Sequence, residues 1–420
     1  MKAFYFSILF VGAILFPAVS QTGSSAISLN NCIEAALTNN PLVKKAENEF
    51  SIANVNVKLA GSGFYPVVTS NLSAGLSDES EVNNDFCTGS FNITASQTIW
   101  QMGKTRSLVK QADYTAKSAS YSLESIKESL VLEVKTSFYN YFLQSQLYKI
   151  SVDNVAKSQL FLDFAKEQYK VGMGRKSDIL KAESDLTEAE FERDSYQTAQ
   201  NQSRNKLAML TGLPGSKLFS PADPWDSALL ISANLFSDSI YARALAENPE
   251  LQITNNLTFI QQARIKETQA DLYPRLSVNG GYNWNYNALT QQQKGWYSTL
   301  SLQWTIFNGN ERRYRIKAEK IRSDVYQNQK LDIENTLSQE VQNEILNIKN
   351  AENQIRTTSD LMKTTQVNLE LAQAEYQAGT GTMLELTVAR ITHLNALKRY
   401  NEGITTFLIA VANLERLTGG

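Results

Sequence analysis

The chain is poor in the side chains that carry chemistry. Its 420 residues hold one histidine, His393, and two cysteines, Cys32 and Cys87, too few ligands at fixed spacing for a metal site. It lacks a phosphate-cradling glycine loop, a nucleophile with a placed base and a carboxylate pair on a rigid cleft, so neither an enzyme nor a cofactor is expected. An excess of one charge is lacking too. With 40 basic against 42 acidic side chains and a pI near 5.8, nothing favours a nucleic-acid partner. Beyond residue 20 there is no apolar run of about 18 residues or more, so no helix is expected to cross a bilayer and any crossing must use strands. Glycine and proline are absent from residues 104–171 and 310–378. These two stretches predict unbroken helices of about 100 Å at about 1.5 Å per residue. No globular domain needs helices of that length.

At the start, Lys2 precedes an apolar run from Ala3 to Phe16, and Ala18-Val19-Ser20 supplies a small-residue cleavage pattern. Residues 1–20 are expected to be a secretory signal outside the fold, the mature chain starting at Gln21. Cys32 lies too far from that cleavage to carry a lipid anchor. Export permits disulfides, yet Cys32 is expected in the middle of a helical body and Cys87 in an external loop, so the two are predicted not to pair. His393, on the last helix beside Thr392 and Leu394, reads as a surface or subunit-contact residue.

Two segments alternate with the period of a strand. In the first, residues 275–287, Leu276, Val278, Tyr282, Trp284 and Tyr286 alternate with Ser277, Asn279, Asn283 and Asn285. In the second, 296–307, Trp296, Leu300, Leu302, Trp304 and Ile306 alternate with Tyr297, Thr299, Ser301, Gln303 and Thr305. One face is apolar and rimmed with aromatics, the other polar and uncharged. Arms of about ten residues suit a tilted strand crossing an outer membrane. Trp100, Tyr282, Trp284, Tyr286, Trp296 and Trp304 are the expected aromatic girdle at the headgroups.

The sequence is written twice. Asn40-Pro41 returns as Asn248-Pro249, Tyr65-Pro66 as Tyr273-Pro274, Thr98-Ile99-Trp100 as Thr305-Ile306-Phe307, and Leu210-Thr211-Gly212 as Leu417-Thr418-Gly419. Each copy should therefore have one architecture. The first repeat, 21–213, is expected to hold strands at 67–77 and 91–100, a long helix at 104–171, a tip turn at 172–177 and a return helix at 178–211. The acidic stretch between its strands, with Asp78, Glu79, Glu81 and Asp85, reads as an external loop. A linker, 214–238, precedes the second repeat, 239–420, with strands at 275–287 and 296–307, a long helix at 310–378, a turn at 379–382 and a return helix at 384–418. In the long helices Val134, Tyr141, Tyr148, Val155, Leu162 and Tyr169 stand seven apart, as do Val341, Ile348, Ile355, Met362, Leu369 and Tyr376. Such a stripe predicts left-handed supercoiling against neighbouring helices. Ala351, Thr358, Thr365 and Ala372 beside the second stripe would let helices approach closely.

Four strands cannot close a barrel, and an open edge facing lipid leaves backbone groups unpaired. The chain must oligomerise. Two copies would give eight strands with a filled interior, three would give twelve with a lumen.

The duplication, Asn-Pro followed by Tyr-Pro, and the turn segments Tyr169-Lys-Val-Gly172-Met-Gly-Arg-Lys-Ser177-Asp178 and Tyr376-Gln-Ala-Gly379-Thr-Gly-Thr-Met-Leu-Glu385 resemble the TolC family of outer membrane efflux proteins. The resemblance implies a mostly α fold with transmembrane β: a homotrimer with a 12-stranded barrel in the outer membrane of a Gram-negative bacterium, continued by a long periplasmic α-helical barrel. It implies the exit duct of a tripartite efflux or type I secretion system, whose tip docks a periplasmic adaptor (membrane fusion protein) and an inner-membrane transporter. Asp178 aligns with the family's gate carboxylate, Tyr376 with the tyrosine that holds it, and Glu385 with one acidic position of the narrowest ring. Gly381 stands where the family has a reinforcing arginine, and Val388 where it has a second acid. Arg175 is a candidate substitute, and Ser177 adjoins the gate. The tip residues Val171, Gly172, Met173, Gly174, Gly379, Thr380, Gly381 and Thr382 are the expected adaptor contacts. Plainer roles stay open at this point: Ser177 or Asp178 as a helix cap, glycines that only permit positive φ, and Val171 and Met173 packed within the trimer. A non-porous structural or adaptor coiled coil is the alternative function.

Overall fold

The computed structural model describes residues 27–79, 84–214, 221, 239–287 and 293–419. The expected signal, nearly all of the linker and Glu81 lie outside them. Each repeat begins with a short helix and a second one entered through an Asn-Pro pair. Helix α1, Leu29–Asn39, is capped by Ser28, whose hydroxyl accepts from the Asn31 amide, and α2, Pro41–Gly61, is capped by Asn40 accepting from Leu42. Proline at the first helical position sacrifices no hydrogen bond. Strands β1, Val67–Glu79, and β2, Asn84–Trp100, lead into α3, Lys104–Lys170, and α4, Lys176–Thr211. The second repeat runs α5, Ser239–Glu247, α6, Pro249–Ala270, β3, Arg275–Asn287, β4, Gln293–Gln303, α7, Glu311–Gln377, and α8, Met383–Leu417. Both long helices have 67 residues. Among the described residues no helix is long and apolar enough to cross a membrane.

Helices α2 and α4 lie end to end along α3. At their seam Asn40 Nδ2 donates to the Leu210 carbonyl and Asn39 Nδ2 to that of Thr211. Arg243 does the corresponding work in the second copy, donating to the carbonyl and hydroxyl of Thr418. Around this seam lies the larger apolar core, with Cys32, Val43, Val134, Phe138, Leu207, Val341, Ile348 and Leu414 buried together. A smaller core of Phe161, Leu162, Ala182, Leu369, Tyr376, Met383 and Leu386 closes the far end of the long helices. Burial along α7 follows the seven-residue stripe at Val341, Ile348, Leu369 and Tyr376, with Ala351, Thr358 and Thr365 buried beside it. In α3 the stripe fails at its end, since Tyr169 is 48% exposed.

The four strands form one antiparallel sheet in the order β1-β2-β3-β4. Besides an earlier start of β4, at Gln293 rather than 296, three boundaries differ from the sequence reading. The β1–β2 ladder continues through Asp78 opposite Asp85 and Glu79 opposite Asn84, so the expected acidic loop is mostly strand and Cys87 sits in the ladder, opposite Leu76. Backbone pairing needs no apolar alternation, which marks only the part of a hairpin that meets lipid. β4 stops at Gln303 rather than 307. Its partner there is Arg275, preceded by Pro274, which has no N–H to continue the ladder. Arg312 instead ties down the carbonyls of Thr305 and Asp271. Third, α4 begins at Lys176, two residues before the expected start.

His393 is buried, not a surface residue. It packs between α7 and α8 with Nδ1 3.2 Å from the Thr365 hydroxyl, where small side chains leave room for a ring. Burial and the charge of Lys157 push its pKa below the ordinary value. Cys32 is a free buried thiol, and burial raises its pKa to about 11.

Candidate functional site

The sheet register gathers the alternating residues of all four strands onto two faces. On one, Leu72 stands opposite Phe91 and Phe91 opposite Trp284, Ile93 opposite Tyr282 and Tyr282 opposite Trp296, and Val278 opposite Leu300. Nothing in the single chain covers most of them: Leu72 is 79% exposed, Leu300 65% and Trp296 81%, while Phe91, Val278 and Trp284 are half-buried among their neighbours. On the other face the polar residues bond across strands, Thr69 to Thr94 at 2.7 Å, Asn71 to Asn92 at 3.1 Å and Ser73 to Ser90 at 2.7 Å. An apolar face with no cover beside a self-satisfied polar face fits lipid outside and water inside.

Of the expected girdle, Tyr282, Trp284, Tyr286 and Trp296 stand together on the apolar face toward the strand tips, with the rings of Trp284 and Tyr286 stacked 6.4 Å apart. Trp100 reaches that face at the opposite end through a bulge: the register shifts between Thr98 and Trp100, bringing Trp100 opposite Leu276. Trp304 lies beyond β4, its indole donating to the Leu272 carbonyl at 3.1 Å.

At the far end of the long helices one turn is built twice. The Gln168 carbonyl accepts from the amides of Met173 and Gly174 at 2.9 Å, and the Glu375 carbonyl accepts from Thr380 at 3.0 Å and Gly381 at 2.9 Å. Gly172 and Gly379 hold φ of 78° and 75°, which only glycine adopts without strain. Gly174 and Gly381 serve differently, by close approach. A Cβ on Gly174 would stand 2.9 Å from the Tyr169 amide nitrogen, and one on Gly381 3.1 Å from that of Tyr376. An arginine at Gly381 would therefore have to displace this backbone by a few tenths of an ångström. Val171 and Met173 project into solvent, 66% and 80% exposed.

The expected gate residues are used locally. Asp178 accepts from the Arg175 amide at 3.3 Å as part of the α4 cap, with the Ser177 hydroxyl 3.5 Å from its other oxygen. Glu385 forms a full capping box: its carboxylate accepts from the Thr382 amide at 2.8 Å and hydroxyl at 2.9 Å, while Thr382 Oγ1 accepts from the Glu385 amide. These bonds hold its carboxyl below the usual glutamate pKa. Among the described residues no hydrogen bond joins Tyr376 to Asp178. Tyr376 is buried edge-to-face against Phe164 at 5.7 Å, and burial first, then the charge of Asp178, raises its pKa. The direct lock implied by the resemblance is thus not made within one chain.

One element of the tip was not foreseen. Arg390 of α8 and Asp185 of α4 form a buried ion pair at 3.1 Å, with side chains 7% and 5% exposed. Asp185 also accepts from Lys181 at 2.7 Å and Thr387 at 3.0 Å, and Arg390 donates to Asn154 at 3.3 Å and to Ser158. Three helices are joined at the upper edge of the tip core. Burial pulls the Arg390 pKa down, opposed chiefly by Asp185. Asp185 stands three residues on from buried Ala182, and Arg390 four from buried Leu386. Opposite charges at two core positions were the available signal. No cluster of metal-ligating side chains exists among the described residues.

Comparison with known proteins covers nearly the whole chain. The profile of the outer membrane efflux protein family matches residues 32–213 and 240–420. The probable efflux pump outer membrane protein TtgC of Pseudomonas putida is 22% identical over 407 residues, 94% of this chain and 83% of its own length. Among solved structures, the outer membrane protein VceC of Vibrio cholerae superposes with a TM-score of 0.80 at 16% identity, over 93% of this chain and 96% of that one. The CmeC outer membrane channel of Campylobacter jejuni gives 0.80 at 15% identity, over 93% and 85%.

Proposed function

The chain belongs to the outer membrane efflux protein family, and from that premise we propose that three copies form a passive exit duct of a tripartite export system. The observation that carries the proposal is the two-faced sheet with two unpaired edges, each strand running into a helical body about 100 Å long. Unpaired edges in lipid cost several kcal/mol per backbone group, and three copies pair all of them.

The duplication supplies the joining register. If β4 meets the next subunit's β1 as β2 meets β3, then Leu300 faces the next subunit's Ala74, as Ile93 faces Tyr282. The aromatics Tyr282, Trp284, Tyr286 and Trp296 would lie at one headgroup level and Trp100, with Trp304 nearby, at the other. The strands, rather than an acyl chain, hold the protein in the outer membrane, and the helices extend through the periplasm. At the tip, Asp178, Ser177, Arg175, Tyr376 and Glu385 surround the gate. The paired turns with Val171, Gly172, Met173, Gly174, Gly379, Thr380, Gly381 and Thr382 dock the periplasmic adaptor, through which an inner-membrane transporter drives export.

Cysteines at Leu300 and Ala74, in a chain with Cys87→Ser, test the closure. Oxidised membranes should yield covalently closed trimers that conduct in planar bilayers. A product that stops at dimers, or trimers that do not conduct, would overturn the duct and favour a non-porous coiled coil.

A further inference from the structure

Just below the sheet, α3 and α6 enclose a groove of about 550 Å³ whose lining combines Arg106, Lys110 and Lys266 with Met102, Leu272 and Tyr273. All six side chains are exposed. None of the three cations is engaged by a carboxylate in the described structure. The nearby acids are occupied elsewhere: Glu267 lies 3.9 Å from Lys104 and 3.3 Å from Gln111, and Asp113 pairs with Lys117 at 2.9 Å. Three cations thus line one groove beside exposed apolar side chains without a carboxylate partner among the described residues.

The groove opens on the lipid side. Two other hollows at this level share residues of the polar sheet face, Arg275 and Gln303 in one, Thr98 and Ser277 in the other. Their α3 residues are Lys104, Thr105 and Leu108. At about 100° per residue, Arg106 and Lys110 stand on the opposite side of that helix. The groove thus continues the face that carries Trp100 and Leu276, at the level where strand gives way to helix.

We propose that this groove binds the headgroup of an anionic phospholipid in the inner leaflet of the membrane, one lipid per chain. The cations meet the phosphate while Met102, Leu272 and Tyr273 meet the glycerol and the first acyl carbons. The site would fix the depth of the barrel in the bilayer and brace the α3–α6 collar. It rests on the reading that the apolar sheet face lies in lipid. A basic pocket at a membrane boundary is the known form of such recognition, and each cation near an anionic surface is worth roughly fivefold in affinity, so the three together are worth roughly a hundredfold.

The test uses the full-length trimer in nanodiscs of phosphatidylcholine with a minor fraction of phosphatidylglycerol, released into detergent for native mass spectrometry. The unaltered protein should retain up to three phosphatidylglycerol molecules per trimer, and Arg106→Gln/Lys110→Gln/Lys266→Gln should lose them. A charge-matched control, Lys44→Gln/Lys45→Gln/Lys363→Gln, should keep them. Equal retention by the groove variant, equal loss by the control, or displacement by inorganic phosphate would overturn the proposal. A phosphatidylglycerol with a photoreactive headgroup gives a second reading on the unaltered protein. Adducts on residues 102–110 and 266–273 support the site, and adducts confined elsewhere refute it. Bilayer conductance of the groove variant separates the two readings, because an intact duct without bound lipid keeps its conductance.

Discussion

The buried pair at the tip makes an ordered set of predictions. Asp185→Ala leaves the Arg390 guanidinium 7% exposed with neutral hydrogen-bond partners, Asn154 and Ser158, and only the charges of Glu188 and Glu192, to which it is not bonded, acting on it. Removing one partner of a buried ion pair costs about 3–5 kcal/mol, because the remaining charge is stranded. Arg390→Met is milder. Asp185 keeps Lys181 at 2.7 Å, itself 45% exposed, and Thr387 at 3.0 Å, so the loss is that of a charge-assisted hydrogen bond, about 1.5–3 kcal/mol. Asp185→Leu with Arg390→Met strands no charge, only the neutral polar groups of Asn154, Ser158 and Thr387, and should recover most of what Asp185→Ala loses. Amide hydrogen exchange of the lower halves of α4 and α8 in the trimer reads these values as local opening. At about 1.4 kcal/mol per factor of ten, Asp185→Ala should speed exchange at least roughly a hundredfold. The reasoning fails if Arg390→Met costs as much as Asp185→Ala, or if the double variant is no better than either single one.

Other outcomes follow from the same geometry. Gly172→Ala should destabilise the first turn by about 1–2 kcal/mol through its positive φ, and Gly381→Arg should loosen the second turn rather than reinforce it; protease sensitivity at each turn reads both. Cys32, with a pKa near 11, should resist alkylation in the folded protein and react rapidly in denaturant; fast labelling of native protein would contradict its burial. Glu385 is a carboxyl held below its ordinary pKa, so its cap contributes fully above the unfolded value of 4.5 and is lost as the pH falls through the lower folded value. Exchange at the start of α8 should therefore rise on acidification below pH 4.5, and Glu385→Gln should flatten that dependence.

Much of this architecture was legible because long helices and lipid-facing strands leave strong periodic marks. The uninterrupted stretches before Gly172 and Gly379 gave both long helices to within a residue or so, and the alternation through Tyr282 and Trp296 gave the faces of the sheet. Strand ends were legible only where side chains report them. Asp78 and Asp85 face each other in the backbone ladder, and β4 ends because of Pro274 on its neighbour, a constraint that lies on another strand. Asp178 shows the same limit at the tip, since a carboxylate three residues into a helix has the same sequence signature as cap or as gate, and the geometry of one chain makes it a cap. The Asp185–Arg390 pair went unread because a charge at a core position gains meaning only from a partner about two hundred residues away.

The duplication itself makes a last prediction, because a ring of six helical hairpins has two kinds of junction, within a chain and between chains. Within the chain the junction is held by Tyr376 on Phe164, by Arg390 with Asp185, and by Lys398 with Glu192 at 2.9 Å. The repeat carries these positions to Tyr169, Leu371, Glu183, Thr392, Phe191 and Arg399, all exposed in the single chain, with Glu183 held only by an exposed pair to Lys166 at 3.8 Å. An acid and a threonine cannot rebuild the buried ion pair that Arg390 makes with Asp185. The junction between subunits is therefore the weaker one, and the tip should part there. A short bis-maleimide joining Glu183→Cys to the next subunit's Thr392→Cys should hold the duct shut, whereas the same reagent across Glu192→Cys and Lys398→Cys within a chain should leave export unimpaired. The opposite pattern would place the opening inside the chain and refute the argument from unequal repeats.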